Sequence, residues 1–597
     1  MKKNEWYDKI SQELLPRVQQ PGQYIGGEIN QIRKEHSAGD VAVALAFPDT
    51  YTIGMSHLGL QILYEALNRT ESVIAERVFC PWLDAAEVMR RESVPLFSWE
   101  SRRPVRDFDI LGITLQHELS YSNVLFLLDL AGITFRAVER AEEEPLVIGG
   151  GPLADSCEPV SDFFDLVILG DGEEALPAVV QAYRELSRSK CTRRELLLEL
   201  AQRFPFVYVP QLYHCEYNQD GTLASCAPTA EGVPIGVERA LVKDLDGAIF
   251  PTAPVVPFTE SVHDRIAIEI MRGCPQRCAF CHAGHTRGPV RTRSIETILE
   301  IARKSYKATG HHTISLLSLS TSDYPNLGEL VRQLYAEFEG KHVGISLPSL
   351  RVDRQLRDVP QQVSGVRREG LTVAVEAAQD RLRRAIGKKV TDTELLATMR
   401  NAYEAGWKTV KLYFMVGFPG ESEADIEAIA DLSAQISRLR RELSGYSATV
   451  NVTVSWLAPK PHTPFAWIAM QQADYFREAR ERLFAAKDKL RARSIKFKFH
   501  NLKRSLLEGV LARGDRRLSQ AIEIAYRNGA YFDSWDECFN YQLYRDAFRQ
   551  CNIDPVFYAH RERGENELLP WEHLAGENKV PLFKRWCAIK DKLENEE

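Results

Sequence analysis

The sequence predicts an α/β protein of several domains. A doubly wound, Rossmann-like sheet comes first, a partial (β/α)6 barrel follows, and a mostly helical region closes the chain. Three observations predict this. Short apolar runs alternate with amphipathic stretches in two separate series, near 41–183 and 265–460, the pattern of parallel strands joined by helical crossovers. Glycines follow the strands of the first series, as in "LVIGGGP" and "VILGDGEEAL". Past residue 469 strand signals nearly vanish.

The elements can be taken in order. Residues 1–200 form the Rossmann-like domain with a helical lead-in. Its strands are "VAVALAF" (41–47), "DILGITL" (109–115), "PLVIGGGP" (145–152) and the start of "DLVILGDGEEALPAVVQAY" (165–183), each apolar enough to be buried on both faces. Residues 201–258 are a β-rich linker. There "FVYVPQLYHCEYNQDGTLAS" alternates around an Asn-Gln-Asp-Gly turn, a hairpin signal, and "FPTAPVVPF" reads as extended. Residues 259–468 carry six strands: "RIAIEIM", "TISLLSLS", "VGISLPSLRV" (343–352), "LTVAVEAA", "TVKLYFMVGFPG" and "TVNVTVSWLAPK". Amphipathic helices separate them, so a partial parallel barrel is expected, with function at the strand C-terminal ends. Residues 469–597 read as helical apart from "IKFKFH" (495–500).

Composition sets bounds. At 597 residues the chain is too long for one core. A net charge of −7 argues against gripping nucleic acid with the whole surface. No apolar run approaches the ~20 residues of a membrane span, and "MKKNEWYDKISQELL" lacks the apolar segment of a signal peptide. A cytoplasmic protein is expected. Eight of the eleven cysteines are scattered singly and read as free thiols in a reducing compartment.

The other three fall in "RGCPQRCAFCHAG" (272–284), directly after the first barrel strand. Cys278–His282 fits the haem-attachment pattern, but this leaves Cys274 without a role. Zinc would need His282 as its fourth ligand, yet adjacent side chains such as Cys281 and His282 rarely converge on one ion. A cubane iron–sulfur cluster usually takes four thiolates. Three on one tight loop leave one iron open, the mark of a catalytic site.

"CPQRCAFC" resembles the signature of radical S-adenosylmethionine (SAM) enzymes, and the likeness spans about residues 260–465. It implies a [4Fe-4S] cluster on Cys274, Cys278 and Cys281, with Phe280 as the aromatic before the third cysteine. In that family the reduced cluster splits SAM into methionine and a 5′-deoxyadenosyl radical, which takes a hydrogen from substrate. The electron comes from a donor such as flavodoxin or ferredoxin. The resemblance also implies SAM contacts from Ser320, Thr321, Ser322 and Asp323 after the second strand, from Glu376 after the fourth, and from Lys411 and Tyr413 on the fifth. The glycine-rich form common after the second strand is missing. On residues alone, Glu376 reads equally as a strand-end acid paired with Arg384 or Lys388, and Lys411 and Tyr413 as barrel packing. Asp425 reads as a helix cap, and "APKPHTPF" (458–465) as a pocket rim.

The first domain resembles the cobalamin (vitamin B12)-binding domain fused ahead of many radical SAM cores. This implies cobalamin as a further cofactor, in a crevice formed by Gly149, Gly150, Gly151, Gly170 and Gly172. The lower-ligand motif Asp-x-His-x-x-Gly is absent: around His57, Met55 and Leu60 stand where Asp and Gly would be. The order of all four regions is similar to one bacterial family of cobalamin-binding-type radical SAM proteins whose substrate is not established. The expected function is radical SAM chemistry on an unknown substrate, cobalamin-assisted methyl transfer being one form. No catalytic residue is assigned. Two alternatives stay open: a methylthiotransferase acting on tRNA or a ribosomal protein, and a non-catalytic iron–sulfur RNA-processing or assembly factor. The second rests on "RARSIKFKFHNLKR" (491–504), basic residues with interleaved aromatics, which also reads as a strand with a solvated lysine face.

Overall fold

The computed structural model describes residues 5–189, 191–347, 371–575 and 579–595. The first domain is built on strands β1 (Val41–Thr50), β2 (Val73–Cys80), β3 (Ile110–Thr114), β4 (Leu146–Gly150), β5 (Leu166–Ile168) and β6 (Val207–Tyr208). They lie in the order β2-β1-β3-β4-β5-β6, parallel except for β6. β1 and β2 are buried along their whole length, as a sheet covered on both faces requires.

β2 had no counterpart in the sequence reading. Its run "VIAERVFC" carries Glu76 and Arg77, which look like surface residues. Both are buried and paired. Arg77 binds Glu28 at 2.5 Å and Glu100 at 2.6 Å, and Glu76 accepts from the Ser101 hydroxyl at 2.6 Å. The lead-in segment supplies Glu28, so it is part of the domain.

The hairpin appears where its turn predicts it, as β7 (Tyr213–Tyr217) and β8 (Leu223–Pro228). Cys215 and Cys226 sit opposite each other in its register and form a disulfide. This corrects the expectation that both are free thiols: antiparallel pairing, invisible in the spacing, makes them neighbours.

The second series gives β9 (Ile266–Glu269), a short β10 (Met271–Arg272) paired with β11 (Arg291–Thr292), then β12 (Thr313–Leu317) and β13 (Gly344–Ser346). Residues 348–352 of the expected third strand lie outside the described residues. β14 (Leu371–Glu376), β15 (Thr409–Val416), β16 (Thr449–Trp456) and β17 (Ile495–Phe499) complete the set. β9, β12 and β13 form one parallel arc and β14 to β17 another. β17 is the "IKFKFH" segment, so the second arc continues past residue 468. Helices Asp392–Glu404 and Glu423–Ser444 start with capping boxes, Thr391 with Glu394 and Ser422 with Asp425. Asp425 is thus a cap, as its position suggests.

The C-terminal helices pack largely on the first domain. Asn123 accepts from the Phe532 amide, Ser122 donates to Asp533, and Tyr526 donates to Asp129. Glu158 is the buried joint: Arg516 reaches it at 2.9 Å and His573 at 3.3 Å, and the Tyr208 hydroxyl donates to it. Burial pushes the Glu158 carboxyl up, but Arg516 and His573 outweigh this and hold it well below the ordinary range.

Glu421 closes the turn after β15. Its carboxylate accepts from the Gly417 amide at 2.6 Å and the Tyr475 hydroxyl at 2.7 Å. Burial pushes its pKa from 4.5 up to about 7, against those two hydrogen bonds. A raised carboxyl contributes stability that is complete below pH 4.5 and lost as pH rises through 7. The melting temperature should therefore fall between about pH 4.5 and 7 and level off above that, by the equivalent of roughly 3 kcal/mol in all. Glu421→Gln, which keeps the acceptor oxygen, should flatten that dependence in thermal melts; an unchanged slope would place the titration elsewhere.

Candidate functional site

The cysteine loop begins where β10 ends. Gly273 has φ +88, and a Cβ there would lie 2.8 Å from the Arg287 carbonyl oxygen and 2.9 Å from that of Pro289, so only glycine lets the chain turn here. The Cys281 amide donates to the Cys278 carbonyl at 3.0 Å. The Ala279 amide donates to Ile386, and Ala279 accepts from the Phe465 amide. The loop is thus pinned between the region after β14 and Phe465 at the end of the 458–465 segment.

The three thiols act electrostatically on one another. Burial raises Cys278 to about 11, and the neighbouring Cys281 and Cys274 add to this. Burial also raises Cys281, against a hydrogen bond from the Gly284 amide. Thiols raised in this way become thiolates when a cation sits among them. Among the described residues no three His, Cys, Asp or Glu side chains close on a point that one metal ion could fill. Mononuclear zinc needs such a point, with bonds of about 2.0–2.3 Å; a cubane takes its thiolates at separate corners. The donor set fits a cluster. His282 is engaged elsewhere, its Nε2 3.0 Å from Asp155 Oδ1 in the first domain. Burial raises the Asp155 carboxyl, but His282 pulls it well below the ordinary range.

The other expected residues gather around this loop. Asp323 accepts from Gln276 at 2.8 and 2.9 Å and from Ser320 at 2.6 Å, and Ser318 and Thr321 hydroxyls lie 3.0 Å apart. Ser320, Thr321 and Ser322 are buried. Glu376 ends β14 at φ 71, a conformation that costs energy outside glycine. Lys388 binds it at 3.2 Å, and both act electrostatically on Cys278 and Cys281. Of the two suggested partners, Lys388 is the one found. Phe280 packs edge-on against Phe418. Lys411 and Tyr413 share one exposed face of β15.

A cavity of about 510 Å³ opens at the C-terminal ends of the first sheet, lined by Gly149, Gly150, Gly151, Gly170 and Gly172. With strands ordered 2-1-3-4-5, the switch point falls between β1 and β3, and both line the cavity. Its far wall is the cysteine loop region: Met271, Arg272, Gly273 and Ala283. The glycines serve the chain itself as well. A Cβ on Gly170 would lie 2.2 Å from the Ala240 carbonyl oxygen, and one on Gly151 2.5 Å from the Thr114 hydroxyl.

His57 also lines this cavity. Its Nδ1 accepts the Leu60 amide at 3.1 Å, capping helix Leu58–Arg69. The proton of the neutral ring therefore sits on Nε2, which faces Gln116. Burial lowers the His57 pKa to about 4, against the Gln116 hydrogen bond.

Arg272 was missed from sequence. It meets Glu269 at 2.8 Å, Asp171 at 3.1 Å and Glu173 at 2.7 Å. Glu173 is held by charge without an aligned hydrogen bond. Arg291 reaches Asp171 at 2.5 Å. Two of the three acids of "GDGEE", Asp171 and Glu173, are thus spent on the barrel. A charged residue at a strand end was the only signal, and it does not name the partners.

The superfamily model described as "Radical SAM superfamily" matches residues 268–433, and "Radical SAM proteins, N-terminal" matches 59–210. The chain belongs to the radical SAM superfamily. The superfamily's cofactors are a [4Fe-4S] cluster and SAM. This radical SAM enzyme is 24% identical over 482 residues to "Uncharacterized protein MJ0966" of Methanocaldococcus jannaschii, which covers 81% of this chain and 90% of that one. It is 29% identical over 260 residues to the tRNA-2-methylthio-N(6)-dimethylallyladenosine synthase of Sorangium cellulosum, covering 39% of this chain and about half (49%) of that protein. Among solved structures, the cobalamin-dependent radical SAM enzyme OxsB aligns at TM-score 0.48 with 12% identity over 93% of this chain and 80% of its own. The methyltransferase TsrM of Kitasatospora setae aligns at 0.45 with 14% identity over 71% and 73%. Among the described residues no helix is long and apolar enough to cross a membrane.

Arg272→Gln would leave Glu173 buried without its cation, while Arg291 still holds Asp171, a loss of about 3–5 kcal/mol by analogy with broken buried pairs. The variant should melt well below wild type and retain less iron after anaerobic reconstitution, by metal analysis. An unchanged melting temperature would show that the bridge carries no net stability.

Proposed function

We propose that this chain is a radical SAM enzyme that works with cobalamin, transferring a methyl group or otherwise remaking an unactivated carbon. The observation that carries the reading is the shared cavity. One wall is the glycine-lined switch point of a doubly wound sheet, and the other is the loop that bears Cys274. Its volume lies within the ~300–1,000 Å³ of small-molecule sites, and its walls combine apolar side chains with bare backbone.

In this reading Cys274, Cys278 and Cys281 hold the cluster, and the open iron takes SAM. When bound and reduced, the cluster supplies the electron that splits SAM. The chain's own residues position and shield. Ser320–Asp323 offer hydroxyls and a carboxylate to the SAM amino group, with Gln276 orienting Asp323. Glu376, braced by Lys388, presents an acid beside the cluster. Lys411 and Tyr413 flank the adenine side. Phe280, Phe418 and Phe465 keep water from the thiolates.

The alternatives find less support. A methylthiotransferase needs a second cysteine set, and Cys80 and Cys157 are buried within the first domain. The aromatics of the "KFKF" stretch lie on the face opposite the lysines and are half-buried: Phe499 stacks on Trp456, and Phe497 packs against Phe484.

Two measurements test the proposal. Anaerobically reconstituted protein given reductant and SAM should release 5′-deoxyadenosine, and Cys278→Ala should abolish both that product and the cubane absorption. An intact cluster with neither 5′-deoxyadenosine nor S-adenosylhomocysteine would sink the reading. Cobalamin should be retained, as its visible spectrum reports. Because the His57 Nδ1 lone pair is taken by the Leu60 amide, His57 should not ligate cobalt. Electron paramagnetic resonance of the Co(II) form should then be identical for unlabelled and ¹⁵N-labelled protein; an isotope-dependent splitting would contradict the assigned tautomer.

A further inference from the structure

Closed parallel barrels fill their interiors with bulky branched side chains. The second arc of this protein does not. Its apolar rows, such as Val410, Leu412, Phe414, Val450, Val452 and Val454, are buried in the main core. The opposite face, the one that presents Glu376 beside the cysteines, is polar and open. Strand register lines it up in two rows. Lys411 pairs with Asn451, and Asn451 with Lys496; Tyr413 pairs with Thr453, and Thr453 with Lys498. Lys411, Tyr413, Lys496 and Lys498 are exposed, and Asn451 and Thr453 half-buried.

The charge on this face is one-sided. None of the three lysines has an ion pair among the described residues, and on the four strands the only carboxylate of this face is Glu376, already bound by Lys388. Across the barrel, Ala267 and Ser315 are neutral and Glu269 is bound by Arg272. Strands lie about 4.8 Å apart and alternate residues about 6.6 Å along a strand, so the three lysine Cα atoms fall within ~12 Å. The chain as a whole carries −7. A cationic strand face in an acidic protein attracts anions.

We propose that this face takes the substrate, and that the substrate is a small molecule with two or more phosphate or carboxylate groups. Lys496 and Lys498 would hold the anionic groups, and Asn451 and Thr453 would fix orientation, with Lys411 and Tyr413 left to the SAM side of the same face. The proposal rests on the radical SAM reading for the role of the bound molecule, not for its binding. A nucleic acid fits less well, because Phe497 and Phe499 are packed away on the other face and offer no stacking platform.

Inorganic pyrophosphate and citrate are the probes, titrated calorimetrically into the cluster-reconstituted full chain at low salt. Saturable binding is expected for at least one, weakened tenfold or more in the double variant Lys496→Gln/Lys498→Gln. Lys489→Gln, an exposed lysine at the end of helix Ala473–Lys489, should bind like wild type. Both variants change exposed side chains, and thermal melts on each confirm the fold. Absence of saturable binding, or equal affinity in the double variant, overturns the proposal. So does single-stranded RNA binding more tightly than either probe and losing that affinity in the double variant. The 5′-deoxyadenosine assay on the same wild-type sample separates the two readings: anion binding without that product leaves this site standing while the radical reading fails.

Discussion

Arg272 stands where three carboxylates from two domains meet. Its guanidinium binds Glu269 on β9 beside it and reaches Asp171 and Glu173 at the start of a helix in the first domain. Burial disfavours its charge, and the Glu269 hydrogen bonds with the surrounding acids more than compensate, so the group is held strongly cationic. Two residues on is Cys274. Four residues after Cys278, and one after Cys281, the loop's far end is tied to the first domain as well, where His282 meets Asp155. The cysteine loop is therefore suspended between buried charges that belong partly to another domain. Buried ion pairs give little net stability but make one arrangement strongly preferred. Here that arrangement fixes the distance between the loop and the cavity.

This constraint explains why the first domain's acids are not a ligand site. "GDGEE" looks like a helix start with carboxylates that would repel an anion. In the fold Asp171 and Glu173 face Arg272 and Arg291. The glycines around them serve two needs at once. They let the chain from Ala240 cross close to Gly170, and they leave bare backbone along the cavity. The disposition of His57 follows the same economy. Its ring nitrogen caps a helix, which consumes the lone pair a metal would need.

How much was legible depended on the range of the interaction. Strands with an apolar run or a clean alternation, such as β1 and β15, were readable because periodicity is local. β2 was not, because Glu76 and Arg77 find their partners 23 to 49 residues away in sequence, one of them in the lead-in segment, and no local pattern records a buried pair. β17 was seen as an alternating strand, yet its place as the fourth member of an arc depends on β16, which sequence order does not declare. The Cys215–Cys226 pairing depends in the same way on a hairpin register. In the site, the three cysteines announce themselves by spacing. Arg272, Asp155 and Gln276 do not, since their roles exist only once two domains close on the same loop.

The two faces of the second arc carry the division of labour further. The sequence "IKFKF" shows aromatics and lysines interleaved, and composition alone cannot say which set meets a ligand. Strand geometry decides: alternate residues take opposite faces, and the face shared with Val410 and Val450 is the one the helices bury. Phe497 and Phe499 are therefore structural, and the lysines are left on the side where Glu376 and the cysteine loop lie. Chemistry at the loop and recognition on the strand face then share one space, while the cavity under the first domain opens on the loop's other side. A substrate held by charge on the strands would meet a radical formed at their C-terminal ends without any domain having to move.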